Sequence, residues 1–369
     1  MRVMPATSAF ARIHRRLALA CAAFLALAPA AAVPAPASPA GAAQPATLPA
    51  AGAGPAPVPA VAVQPPVPPA GPHEFSEVWA YLMVGEEQYL DAALPLSDIA
   101  YFSAGIGTTG RLGGVPDRGK IAAFPGRVHL VVAELGNFAL THFVLDPELP
   151  FRDQLVLDIV RAAAPYDGVQ VDFEAVATAD IDNYYYFLCL LKQCLGPAKR
   201  LGVALPARFS PAQDRLGYER IGGLVDRVVV MAYDEHWSSG EPGPVASLEW
   251  CAKVAAYAAS RIEPGKLVMG APFYGRAWAD KSLSRSYRYS GVAGLLAEKG
   301  IPEVGRAGDI PYVEYGESVL VRLYFDDASS MSSRLALYRA ASVRNVAFWR
   351  LGQEDKAVWS AIALMDRPR

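Results

Sequence analysis

From residue 77 onward the chain alternates short, nearly unbroken apolar runs with longer stretches whose apolar residues fall three and four apart. The runs are EVWAYLMVG (77–85), DIAYFSAGI (98–106), RVHLVVAEL (127–135), YDGVQVDFE (166–174), RLGVALPAR (200–208), DRVVVMAYD (226–234), KLVMGAPFYG (266–275) and NVAFWRLG (345–352). Runs that are apolar on both alternating faces predict parallel strands covered on both sides. Between them FRDQLVLDIVRAAA, ADIDNYYYFLCLLKQCLG and SLEWCAKVAAYAASRI carry the helical period, while the link after the second run is mostly Gly-rich loop. Eight strands alternating with helices predict an α/β chain folded as a (β/α)8 TIM barrel.

The seventh and eighth runs are separated by the longest gap. Within it GVAGLLAEKG predicts a short helix, and IPYVEYGESVLVRLYF predicts a hairpin turning near Gly316. Residues 279–327 therefore read as a small α+β insertion between strands 7 and 8. A crossover helix around Ser329–Ala341 follows it, so the insertion is expected to rise beside the barrel mouth.

The first 73 residues follow a different pattern. Arg2, Arg12, Arg15 and Arg16 precede LALACAAFLALA and the small-residue stretch APAAA, the layout of a secretory signal over 1–32. The apolar run before Pro29 is too short to span a bilayer, so membrane contact is expected only through this segment if it is uncleaved. From Ala30 to Pro72 the chain carries no charged residue, and 14 of the 31 prolines fall from Pro29 to Pro72, which predicts an Ala/Pro-rich linker over 33–73. The folded part is then 74–369, exported to the periplasm or the exterior and monomeric.

Without the four N-terminal arginines, 30 basic residues face 36 acidic ones, a net charge near −6. No basic stripe occurs, which excludes a nucleic-acid partner from the reading. Cys189, Cys194 and Cys251 show no C-x-x-C spacing and are expected as small buried apolar residues. GIGTTG (105–110) matches a dinucleotide pattern, but RLGGVPDRG after it cannot form the helix that would hold a pyrophosphate, so no nucleotide is expected. Asp234, Glu235 and His236 are adjacent, yet a single His without a second at i+4 does not make a metal site. No metal and no cofactor are expected.

The fourth run carries the chemistry. Val169, Val171 and Phe173 form one face, and Gln170, Asp172 and Glu174 alternate with them on the other. Carboxylates in an apolar strand are costly unless paired or put to use. A structural reading pairs them with Arg276 in an ion network. In a barrel of this class, however, catalytic groups gather at the C-terminal ends of strands. Those ends also supply Met231, Tyr233 and Asp234 from strand 6, Tyr274 and Arg276 from strand 7, and Trp349 from strand 8. Carboxylates, a Tyr and a Trp converging on one mouth suggest a sugar-binding floor with acid chemistry.

DGVQVDFE resembles the D-G-x-D-x-D-x-E signature of glycoside hydrolase family 18, the chitinase-like family. MAYDEHW, GAPFYGRAW and FWRLGQED extend the resemblance over about 74–369, and YDEHWSSGEPGPVASLEW is most similar to bacterial cell-wall and spore-lytic N-acetylglucosaminidase members. The resemblance implies retaining, substrate-assisted cleavage of β-1,4-linked N-acetylglucosamine polymers, chitin-like or peptidoglycan. Glu174 would be the general acid and then base, Asp172 would orient the substrate acetamide, and Tyr233 would hydrogen-bond its oxygen with Asp234 beside it. Trp349 would floor the −1 sugar, with Tyr81, Met231, Tyr274 and Arg276 as lining. Gln170 replaces the middle Asp of the signature; its amide is expected to hydrogen-bond to Asp172 without taking up charge. The alternative is a non-catalytic glycan-binding protein on the same barrel, which the presence of Glu174 disfavours.

Overall fold

The computed structural model describes residues 71–279, 284–316 and 319–365. The segments read as an export signal (1–32) and most of the linker (33–73) lie outside the described residues. The eight apolar runs become strands β1 (Glu77–Met83), β2 (Asp98–Ile106), β3 (Arg127–Glu134), β4 (Gly168–Phe173), β5 (Arg200–Pro206), β6 (Arg227–Met231), β7 (Leu267–Pro272) and β8 (Asn345–Trp349). Each pairs in parallel with the next, and β8 closes on β1 with Asn345 opposite Glu77. The closed ring is a (β/α)8 barrel.

Residue alternation decides what each strand shows to the helices. Val169, Val171 and Phe173 are fully buried on the outside of β4. Phe173 stacks on Tyr184 and Phe187 of helix Ile181–Leu195 at 5.9 and 5.6 Å. Each such side chain contributes about 2 kcal/mol or more through burial. Trp79, Tyr81, Phe102, Val131, Val229 and Val268 fill the barrel interior. The first strand link carries the 3-10 turn Glu87–Tyr89 and the second a two-residue strand, Leu112–Gly113, and the 3-10 turn Arg118–Ile121, while the link from β3 to β4 carries two helices, Phe138–Leu145 and Phe151–Ala162.

A buried ion network seals the N-terminal end of the barrel, built from residues that open the strands. Glu77 on β1 accepts from Arg127 at 3.2 Å, Arg200 at 2.8 Å and Arg227 at 2.7 Å. Burial opposes its charge, but the Arg227 hydrogen bonds and charge outweigh that, and its pKa falls below the usual carboxylate range. Asp98 on β2 accepts from Arg127 Nε and Nη2 and lies 2.8 Å from His129 Nε2. Despite full burial, these partners hold Asp98 at about 2.

The insertion is a five-stranded antiparallel sheet with helix Tyr289–Lys299 on it. Its hairpin pairs Ile310–Gly316 with Leu320–Tyr324. The sheet begins at Tyr274, ahead of the boundary at 279 read from the sequence, because GAPFYGRAW breaks at Phe273. Phe273 stacks flat on Phe348 at 4.6 Å and its N–H donates to Trp349 O at 2.7 Å, which ends β7 and turns the chain outward. Of the three cysteines among the described residues, Cys251 is buried as expected; Cys189 is half-buried, and Cys194 is exposed because it falls on the solvent side of its helix.

Candidate active site

Asp172 and Glu174 emerge at the C-terminal end of β4. Asp172 points into the barrel and is 4% exposed, whereas Glu174 lies just beyond the strand and is open to solvent. The Glu174 N–H bonds to Glu134 O on the neighbouring β3 at 2.9 Å, which fixes where the side chain leaves the barrel. Both carboxyls hold their protons more tightly than usual. Burial, then the charge of Glu174, lifts Asp172 to about 7. Loss of hydration in the groove, then the charge of Asp234, raises Glu174.

Gln170 is fully buried beside Tyr81. Neither of its amide atoms, nor Tyr81 Oη, nor Asp172 Oδ1, has a hydrogen-bond partner among the described residues. The Gln170–Asp172 hydrogen bond expected from the sequence is therefore not formed. Such buried, unsatisfied groups are rare and call for a reason. Burial first and the Asp172 charge second raise the proton affinity of Tyr81, and Asp172 likewise acts on Tyr184 and Tyr233, so three phenols surround this carboxyl.

After Met231 the β6 chain coils, with Ala232 N–H bonding to Val230 O and Tyr233 N–H to Met231 O at 2.9 Å each. The coil leaves Asp234 at φ 60°, a left-handed conformation uncommon outside glycine but tolerated by Asp and Asn. Asp234 Oδ1 accepts from Tyr274 Oη at 2.6 Å and from Arg276 at 2.8 Å. These partners stand two apart on Tyr274–Ala279, hence on one face, and they come from the insertion sheet rather than from barrel strand 7. Arg276 thus pairs with Asp234, not with the β4 carboxylates of the structural reading.

Trp349 at the end of β8 packs between Tyr81 and Phe102, with ring centroids at 5.1 and 5.2 Å, and presents a half-buried indole across the barrel from β4. Tyr233 meets Tyr274 edge-on at 6.3 Å. A groove of about 340 Å³ opens on the β5–β6 side of Glu174. It holds Met231, Tyr233 and Asp234 of the expected residues, and also Arg208, Phe209, Gln213, Glu235 and Trp250. Glu235 enters the sequence reading only as a candidate metal ligand and the other four escape it, although the strand-end rule applied to β5 would have found Arg208 and Phe209. Glu235 takes Ser247 N–H at 2.7 Å and Ser247 Oγ at 3.0 Å, closing loop 235–247, and His236 Nδ1 sits 2.9 Å from Pro244 O. Asp234, Glu235 and His236 are each committed to different protein partners.

The family model described as Glycosyl hydrolases family 18 matches residues 151–354, over half of the chain. This chain belongs to glycosyl hydrolase family 18. The match is narrower than the 74–369 span of the sequence resemblance. The chain is similar to the uncharacterized glycosylase YvbX of Bacillus subtilis (strain 168), at 28% identity over 58% of this chain and 64% of that protein. It is also similar to the cortical fragment-lytic enzyme of Bacillus anthracis, at 27% identity over 72% of this chain and 66% of that one. It thus spans just under two thirds of the length of these curated relatives. The solved structure of the Bacillus cereus spore cortex-lytic enzyme SleL superposes with a TM-score of 0.72 at 23% identity, covering 82% of this chain and 78% of SleL. A chitinase from Chromobacterium violaceum ATCC 12472 gives 0.67 at 23% identity, over 78% of this chain and 98% of that one. The two structures share the barrel fold with this chain.

Proposed function

We propose that this protein is an exported, retaining glycosidase that cleaves β-1,4 bonds after N-acetylglucosamine in chitin-like or peptidoglycan polymers. The observation that carries the proposal is the β4 pair: two carboxyls at the barrel mouth, both with raised proton affinity, beside buried polar groups left without protein partners. Similarity to proteins named chitinase and cortical fragment-lytic enzyme supports glycan cleavage. The Arg-led apolar stretch over 1–32 supports export.

The −1 sugar rests its apolar face on Trp349. Its acetamide N–H donates to Asp172 and its acetamide oxygen accepts from Tyr233. Glu174 gives its proton to the glycosidic oxygen while the acetamide oxygen attacks C1. The C1–O bond breaks, the leaving sugar departs as an alcohol, and a positively charged oxazolinium remains beside Asp172. Water then attacks C1 from the face the leaving sugar vacated and yields its proton to the Glu174 carboxylate; the bond from C1 to the acetamide oxygen breaks and restores the acetamide, so the acid is regenerated and the β configuration retained. No nucleophilic carboxylate is required, because the substrate's acetamide oxygen is the nucleophile.

The test is chromophore release from an aryl chitobioside by wild type and Glu174→Gln. Hydrolysis by wild type alone supports the enzyme. Equal, negligible rates with oligosaccharide binding retained would establish the glycan-binding alternative instead.

A further inference from the structure

The groove beside Glu174 holds an arginine whose charge the protein leaves unanswered. Glu174, Asp234 and Glu235 contribute three carboxylates to its lining, and Arg208 contributes the lining's guanidinium. Asp234 is engaged by Arg276 and Tyr274, and Glu235 by Ser247. Arg208 forms no ion pair among the described residues; its hydrogen bond goes to the carbonyl of its own neighbour, Ala207, at 2.8 Å.

The position of Arg208 along a bound glycan follows from the ring order. Trp349 on β8 and Tyr81 on β1 lie on the far side of Glu174 and do not line this groove. With the −1 sugar on Trp349 and the scissile oxygen at Glu174, the groove toward β5 receives the sugar that leaves. Filling it with a neutral sugar strips water from an unpaired guanidinium, which is costly. A carboxylate on that sugar removes the cost and matches the planar fork of arginine with two parallel hydrogen bonds.

We propose that Arg208 selects a leaving-side sugar bearing a carboxylate, such as the 3-O-lactyl group of N-acetylmuramic acid or the acid of a peptide attached to it. This assignment rests on the glycosidase reading above, and it makes an acidic, peptidoglycan-type glycan the preferred substrate over neutral chitin.

The experiment compares wild type, Arg208→Gln and Arg208→Lys on three disaccharides: N-acetylglucosaminyl-N-acetylmuramic acid, its methyl ester, and N,N′-diacetylchitobiose. A fourth substrate carries an alanyl group amide-linked to the lactyl carboxyl, which moves the acid outward. Wild type is expected to favour the free acid over the ester by about 10- to 100-fold in kcat/KM, mainly through KM. Arg208→Gln should collapse that ratio at least tenfold, and Arg208→Lys should keep part of it. Added salt should erode the preference for the acid alone. A preference that persists on the alanyl substrate assigns the peptide carboxylate as the partner, and loss of it there assigns the lactyl one. An acid-to-ester ratio near one in wild type, or one unchanged by Arg208→Gln, overturns the proposal. Binding of the same sugars to Glu174→Gln separates the two readings. Arg208-dependent preference for the acid in binding, with no cleavage by wild type, removes the glycosidase reading and keeps the Arg208 assignment.

Discussion

Asp234 at the end of β6 and Arg276 on the first strand of the insertion meet in a 2.8 Å ion pair, so the insertion grips the residue whose charge raises the Glu174 proton affinity. The barrel supplies the acid, and the neighbouring sheet holds the charge that tunes it. Removing that charge should make Glu174 a stronger acid. Asp234→Asn keeps a residue type that tolerates the left-handed backbone there. Its kcat/KM profile is expected to lose its alkaline limb at lower pH than wild type, because Glu174 ionises earlier. Coincident limbs in the two profiles would remove Asp234 from this role.

Glu174→Gln should lower kcat by about two to four orders of magnitude with the fold intact. Circular dichroism and single-turnover kinetics on one aryl N-acetylglucosaminide check both halves. A variant that keeps more than a tenth of wild-type activity would exclude Glu174 as the acid.

Asp172 trades stability for its position. Its folded pKa of about 7 lies above that of an exposed Asp, so its contribution is fully present below pH 4 and is lost as pH rises toward and past 7. Asp172→Asn is expected to be more stable than wild type at pH 8, on the order of 2–4 kcal/mol, with the gain vanishing near pH 4. The same variant should be nearly inactive. Urea unfolding at the two pH values reads the difference; a gain of equal size at both would show that the Asp172 charge is not its source.

At the opposite end of the barrel, Glu77→Ala leaves three guanidiniums facing a buried gap. A loss of about 3–5 kcal/mol is expected, because Arg200 and Arg227 keep their charge without a carboxylate, while Arg127 retains Asp98. Activity per folded molecule should be retained, since the β4 carboxylates sit at the other end. A midpoint shift worth less than 1 kcal/mol would mean that water reaches and solvates this network.

The barrel is legible in the sequence because two-sided burial writes nearly unbroken apolar runs, and the alternation of Val171 and Phe173 with Asp172 and Glu174 already separates the helix-facing side from the site-facing one. The family motif then leads to Tyr233, Asp234 and Trp349. What stays hidden is set by partners distant in sequence. Nothing local shows that Phe273 stacks on Phe348 and moves Tyr274 and Arg276 into another sheet. Nothing local shows that the Asp234 charge reaches Glu174, or that the Gln170 amide goes without the bond to Asp172. The Glu77 network left a clue: β1, β2, β3, β5 and β6 all open on charged residues. In parallel strands with matched starts, such residues must face one another across one end of the ring.

That network also orders the birth of the molecule. Glu77 is translated first, and the arginines that answer it arrive 50, 123 and 150 residues later. A nascent chain released only through β4 carries one of the three, and the carboxylate favours water over the barrel axis until β6 has been made. β1 then waits further for β8 before both its edges are paired. Contacts of such sequence separation make closure late and slow. The first strand of this barrel is the last to be locked.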